Sequence, residues 1–142
     1  MIVRRSVLSS IGTAVLTSAL LLTPALSAEA AAPTACKGSS CTGKNPQREK
    51  CGSGAKVIDR VDPAGGGPRV ELRNSARCSA AWARIQKADH AWQFKVEIRG
   101  GKSYHANASR SYAAYTQMVG SSNAYRACVK QYGGGWSCTR WH

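Results

Sequence analysis

Over much of the chain, apolar and polar side chains alternate with a period of two, the spacing of a strand with one buried face. The clearest case is Trp92–Arg99. Trp92, Phe94, Val96 and Ile98 fall on one side, Gln93, Lys95, Glu97 and Arg99 on the other, and Gly100-Gly101 closes the run with a hairpin-type turn. Val70 and Leu72 alternate in the same way with Arg69, Glu71 and Arg73. Upstream, Val57, Ile58 and Val61 predict a short strand ended by Asp62–Pro68, whose prolines cannot donate to a ladder and whose glycines suit a reversal. Cys78–Ile85 fits strand or helix, because alanine favours helix, and the neighbouring strands favour strand. A further strand is expected within 112–119. A last hairpin is expected between 125–130 and 136–141, around Gly133-Gly134-Gly135. The pattern predicts a mainly β, small antiparallel domain, with Trp82, Trp92 and Phe94 as core residues.

The N-terminal third reads differently. Arg4 and Arg5 precede an uncharged apolar run of about 16 residues, Val7–Leu22, and Pro24 and small side chains follow. The run is shorter than the roughly 20 residues of a spanning helix and ends at Ala28-Glu29-Ala30, a signal-peptidase pattern. The expectation is a general secretion signal over 1–30, a mature chain starting at Ala31, no transmembrane anchor, and an extracellular location. Residues 31–54 are rich in Ala, Pro, Gly, Ser, Lys and Cys and show no apolar period. They predict an extended arm, Ala31-Ala32-Pro33-Thr34-Ala35, then a Cys-rich loop held by bridges rather than by a core. The β-rich domain then covers 55–142.

The six cysteines, Cys36, Cys41, Cys51, Cys78, Cys128 and Cys138, all follow the signal. An even number in an exported chain reads as a disulfide framework, which a small core needs. Spacing leaves the connectivity open, although Cys128 and Cys138 flank the last hairpin. No pair has zinc-ribbon spacing and the histidines do not cluster with the cysteines, so no metal or other cofactor is expected. Charge adds a constraint. The chain carries 20 Lys and Arg against 7 Asp and Glu, and losing Arg4, Arg5 and Glu29 leaves +12. Such a field attracts nucleic acid, anionic wall polymer, acidic lipid or an acidic protein surface, and also serves solubility.

Catalytic patterns are sparse. Asp89-His90 would point to opposite faces in a strand and reads as a surface turn, and His142, as the last residue, is expected to be too loose to act as a base. His105 stands alone. No nucleophile elbow, His-Glu-x-x-His or phosphate loop occurs. A secreted nuclease or cell-wall hydrolase remains the enzymatic alternative, and the expectation is a protein that is not an enzyme. Tyr104, Tyr112, Tyr115, Trp136 and Trp141, interleaved with Arg110, Arg126, Lys130 and Arg140, form a candidate binding face or ordinary strand residues.

Two stretches carry a family resemblance: Cys41-Thr42-Gly43-Lys44-Asn45-Pro46 running to Cys51, and Val70–Cys78 followed by Ala81-Trp82-Ala83-Arg84-Ile85. Together they resemble the YjfA-like family of small secreted Streptomyces and Bacillus proteins, over roughly 36–99. Asn74 stands where that family is expected to carry an aromatic residue. The resemblance implies a secreted β-rich domain without established catalytic residues. In size, export and layout the chain is also similar to the small adaptor of Streptomyces umbrella toxin particles, which are antibacterial. That likeness implies protein partners, a lectin-type subunit and a large repeat-bearing toxin subunit, with Ala31–Ala35 as the inserting arm. A free-standing binder of anionic polymer at the cell surface is the third reading.

Overall fold

The computed structural model describes residues 36–109 and 113–142. The expected signal peptide, the arm Ala31–Ala35, and Arg110 and Tyr112 lie outside the described residues. Within them run β1 (Lys56–Val61), β2 (Val70–Ser75), β3 (Ala80–Gln86), β4 (Trp92–Ile98), β5 (Ser103–Asn107), β6 (Ala113–Tyr115), β7 (Val119–Gly120), β8 (Tyr125–Gln131) and β9 (Ser137–Cys138). The chain is mainly β, and its strand pairings are antiparallel. Sheet A has the order β1-β2-β3-β6, with β7 also on β3, and sheet B the order β5-β4-β8-β9.

The period-two pattern explains how the sheets meet. Phe94 and Val96 of β4 are fully buried, with Trp92 and Ile98 half-buried at the margins. They pack with Tyr125, Ala127 and Val129 of β8 against Val70 and Leu72 of β2 and Ala81, Ala83 and Ile85 of β3. Each large apolar side chain taken from water there contributes about 1.5–3 kcal/mol.

Cys78–Ile85, open to either reading by composition, is a strand from Ala80 because both its faces are covered. Its inward residues join the inter-sheet core. Its outward residues, Ala80 and Trp82, are equally buried, under a second core made with Cys36, Cys41, Cys51, Cys78 and Met118. Residues 36–55, starting with a 3-10 turn at Gly38–Cys41, therefore form a cap on the outer face of sheet A. The expectation of a loop held by bridges rather than by a core is corrected here: the bridged cysteines of the cap pack with Ala80, Trp82 and Met118 into a second apolar core. Backbone bonds complete the seam, from Gly38 N–H to Cys78 O at 2.7 Å, Gly43 N–H to Met118 O at 2.9 Å, and Met118 N–H to Lys44 O at 2.9 Å. Approach is so close at Gly120 that a Cβ there would lie 2.9 Å from the Gly38 carbonyl.

All six cysteines are paired, as Cys36–Cys41, Cys51–Cys78 and Cys128–Cys138, with no free cysteine. The last joins directly opposed residues of the β8–β9 hairpin. The first two abut, with Cys36 Sγ 4.0 Å from Cys51 Sγ.

Three elements differ from expectation. β5 gave no strong sequence pattern, because only Tyr104 and Ala106 turn inward and its outward residues are polar. The strand expected at 112–119 splits into β6 and β7. Buried Thr116 interrupts it, its N–H donating to Ala83 O and its Oγ1 accepting from Ala83 N–H. The last strand is only Ser137–Cys138 in the ladder, yet the chain continues beside β8, where His142 exchanges backbone hydrogen bonds with Tyr125 at 3.0 and 3.1 Å.

Loop length ranks the two cap bridges. Cys51–Cys78 spans 27 residues and Cys36–Cys41 spans 5. Chain entropy gives about 3.5 kcal/mol for the longer loop and about 2 kcal/mol for the shorter. Denaturant unfolding of the Cys51→Ala/Cys78→Ala protein should show the larger loss; an equal or larger loss for Cys36→Ala/Cys41→Ala contradicts this ranking.

Candidate functional site

The strand registers of sheet B arrange its outer face as a grid. In one row Asn107, Gln93 and Lys130 stand side by side on β5, β4 and β8; in the next, His105, Lys95 and Cys128; in the third, Ser103, Glu97 and Arg126. The polar half of the β4 alternation supplies the middle column. Strand pairing then brings the cations of β8 beside it, although they are 29 or more positions away in sequence.

Two indoles from the C-terminal segment lie on this grid. Lys95 Nζ is 4.8 Å and Lys130 Nζ 4.9 Å from the Trp136 ring centre, and the His105 ring meets Trp136 edge-on at 5.6 Å. The guanidinium carbons of Arg126 and Arg99 lie 4.3 and 4.9 Å from the Trp141 ring. A cation over an indole is worth about 0.5–1 kcal/mol at exposed sites and more when desolvated. The Cys128–Cys138 bridge fixes the backbone between the two indoles.

Glu97 is the carboxylate of this grid. It bonds Lys95, and its Oε1 accepts from Arg126 Nε at 2.6 Å. Burial pushes the Glu97 carboxyl up, but the hydrogen bonds and charges of Lys95 and Arg126 outweigh it and hold the carboxyl below its ordinary range. Lys95, Lys130, Arg99 and Arg126 thus face one acid, and the surface stays positive. His105 registers that field. Partial burial is the first cause that lowers its pKa below the usual 6.5; the charges of Lys95 and Lys130 act in the same direction, against Glu97. Its Nε2 lies 3.1 Å from Ser103 Oγ.

A second basic surface lies on the cap. Lys37, Lys44, Arg48 and Lys50 are exposed, as is Lys56 where the cap enters β1, and none forms an ion pair with another described residue. Glu49 is the sole acid in that stretch, and its Oε2 is buried without a hydrogen-bond partner. Elsewhere several cations meet acids: Arg69 with Asp62 at 2.7 Å, Arg84 with Glu71 at 2.6 Å, Arg140 with Asp59 at 3.7 Å. The cap covers the outer face of sheet A, so the two basic surfaces look out on opposite sides of the sandwich.

Of the expected binding-face residues, the structure brings together Trp136 with Lys130 and Trp141 with Arg126. Arg140 turns instead to Asp59, Tyr104 packs on the inter-sheet core and Tyr115 on the cap core. The sequence reading missed Lys95, Arg99 and His105 as members of the same face. The alternation of β4 marked the first two as outward, but only cross-strand register reveals their indole partners. Asp89 and His90 sit in an exposed turn before β4, and Asp89 Oδ1 accepts from Ala91 N–H at 3.0 Å. His142 is corrected: far from loose, it is held by its backbone and by its Nε2, 2.8 Å from Asp59 Oδ2. Burial raises the Asp59 pKa, but the His142 hydrogen bond, the Arg60 N–H and the nearby positive charges leave it lowered.

Among the described residues no pocket is present, and no helix is long and apolar enough to cross a membrane. A family model described as a protein of unknown function, DUF2690, matches residues 39–128. No curated protein and no solved structure matches the chain.

The His105 environment sets a pH dependence. A histidine whose folded pKa lies below its unfolded value of 6.5 disfavours the fold once protonated. Stability should therefore be full above about 6.5, fall as pH drops below it, and level off beneath the folded pKa. NMR titration should place His105 below 6.5, and Lys130→Gln should raise it. A His105 that titrates unchanged in that variant would contradict the field described here.

Proposed function

The chain belongs to the DUF2690 family, and from its two opposed basic surfaces we propose that it is a secreted, non-catalytic adaptor that docks an acidic protein partner through its cap. The observation that carries the reading is the cap itself: four exposed cations without carboxylate partners among the described residues, on a segment tied to the sandwich by the Cys51–Cys78 bridge and packed with Trp82 in an apolar core. Unpaired exposed charge is available to a partner, whereas charge already spent on Asp or Glu is not. A fixed array of like charges speeds encounter with an oppositely charged surface and rejects wrong partners.

Three disulfides fit an oxidising compartment, and the signal read at 1–30 supplies the route. Ala31–Ala35 runs directly into Cys36 at the cap, so on this reading arm and cap address the same partner. The likeness to umbrella-particle adaptors supplies the sharper form: a lectin-type subunit takes the arm, and the large toxin subunit is held as well. Bridging two partners needs two outward surfaces on one rigid body, and the opposed basic faces support that.

Charge reversal tests the cap. In pull-down from culture medium, Lys44→Glu/Arg48→Glu/Lys50→Glu should reduce partner capture at least tenfold, or about 1.4 kcal/mol, with the melting temperature unchanged. Raising salt should weaken capture by the unmodified protein, since screening shortens to about 3 Å at 1 M. Capture indifferent to both changes would remove the cap from the interface. Deleting 31–35 should abolish capture of a lectin-type partner without altering stability.

A further inference from the structure

We infer that the outer face of sheet B is a second binding site, for an acidic polysaccharide whose sugar rings meet Trp136 and whose anionic groups meet Lys95, Lys130 and His105. The inference rests on the cap as the protein-docking surface, and it gives the second of the two opposed faces a polysaccharide as its occupant.

Three groups able to carry positive charge converge on one indole, at 4.8, 4.9 and 5.6 Å. Trp136 is half-exposed, so part of its ring is open to a ligand. The flat face of a sugar packs on an indole as an apolar surface, while an acidic substituent pairs with the ammonium groups beside it. Lys130 has no carboxylate partner among the described residues, and Glu97 answers only Lys95 and Arg126. A net positive charge is left for an incoming anion.

Neutral polar groups distinguish a sugar chain from other polyanions. Gln93 and Asn107 stand opposite one another across β4 and β5, and their side-chain amides have no hydrogen-bond partner among the described residues. In that row Gln93 stands next to Lys130, with Asn107 beyond it. Amide groups offer both donors and acceptors, which suits the hydroxyls of a sugar. A site built for phosphate alone needs donors only. Tyr132, in the turn of the β8–β9 hairpin, is exposed.

Fluorescence titration and NMR of the intact protein test this, with polygalacturonate as probe and neutral dextran, polyphosphate and a single-stranded oligothymidylate as comparators. Polygalacturonate should bind saturably and raise the His105 pKa, as a bound anion offsets the lysine charges. It should outcompete polyphosphate and oligothymidylate at equal charge concentration, and dextran should bind at least tenfold more weakly. Lys130→Gln, Trp136→Phe and Gln93→Ala should each weaken binding about three- to tenfold, the range of a single polar or aromatic contact. Lys44→Glu/Arg48→Glu/Lys50→Glu should retain the sheet-B site, so that loss of protein capture and loss of polysaccharide binding are separable. Equal binding of all three polyanions, insensitive to Trp136→Phe and Gln93→Ala, would overturn the proposal in favour of charge attraction alone. Preference for oligothymidylate would overturn it in favour of a nucleic-acid site.

Discussion

Burial of β3 on both faces is the constraint on which the rest of the structure depends. A strand with one wet face needs only one partner sheet, but Ala80 and Trp82 carry apolar surface outward just as Ala81, Ala83 and Ile85 carry it inward. Something must cover Trp82, and the cap does. Exposing that indole would forfeit several kcal/mol, a large share of the margin of a domain this small. From this follow the Cys51–Cys78 bridge beside Trp82, the close approach at Gly120, and a cap whose cations are fixed in place.

The same requirement separates the two basic surfaces. With the Trp82 end of sheet A under the cap and the inter-sheet core sealed, sheet B presents the second outer face. There cations, indoles and Glu97 form a continuous polar layer held by the β8–β9 bridge. Both surfaces are positive, yet they differ in kind. Cap cations project from a loop without partners, whereas several of those on sheet B lie against indoles or Glu97. Charge of the first kind suits long-range attraction, and of the second kind shape-dependent contact.

How much of this was legible in the sequence depends on range. β4 and β2 could be read directly because a half-buried strand writes its two faces as alternating residues. The final hairpin could be read from its glycine turn and flanking cysteines. β3 was ambiguous because burial on both faces erases alternation and leaves alanines, which suit helix equally well. β5 was invisible for the opposite reason, since its edge position leaves most side chains polar. The binding face was half legible: the pairing of Trp136 and Trp141 with cations was expected in kind, but Lys95, Arg99 and His105 joined it through register, which no local pattern encodes. His142 could not have been foreseen, because its anchor, Asp59, lies 83 positions away.

Hydrogen exchange of backbone amides tests most directly whether the cap is part of the fold rather than a loop upon it. The N–H groups of Gly38 and Gly43 donate to Cys78 and Met118 across the seam. If covering Trp82 joins cap and sandwich into one cooperative unit, these amides should exchange only through global unfolding, with the same free energy as the Leu72 and Ala83 amides of the sheet. Exchange of Gly38 and Gly43 through local opening, orders of magnitude faster than the sheet amides, would contradict the account.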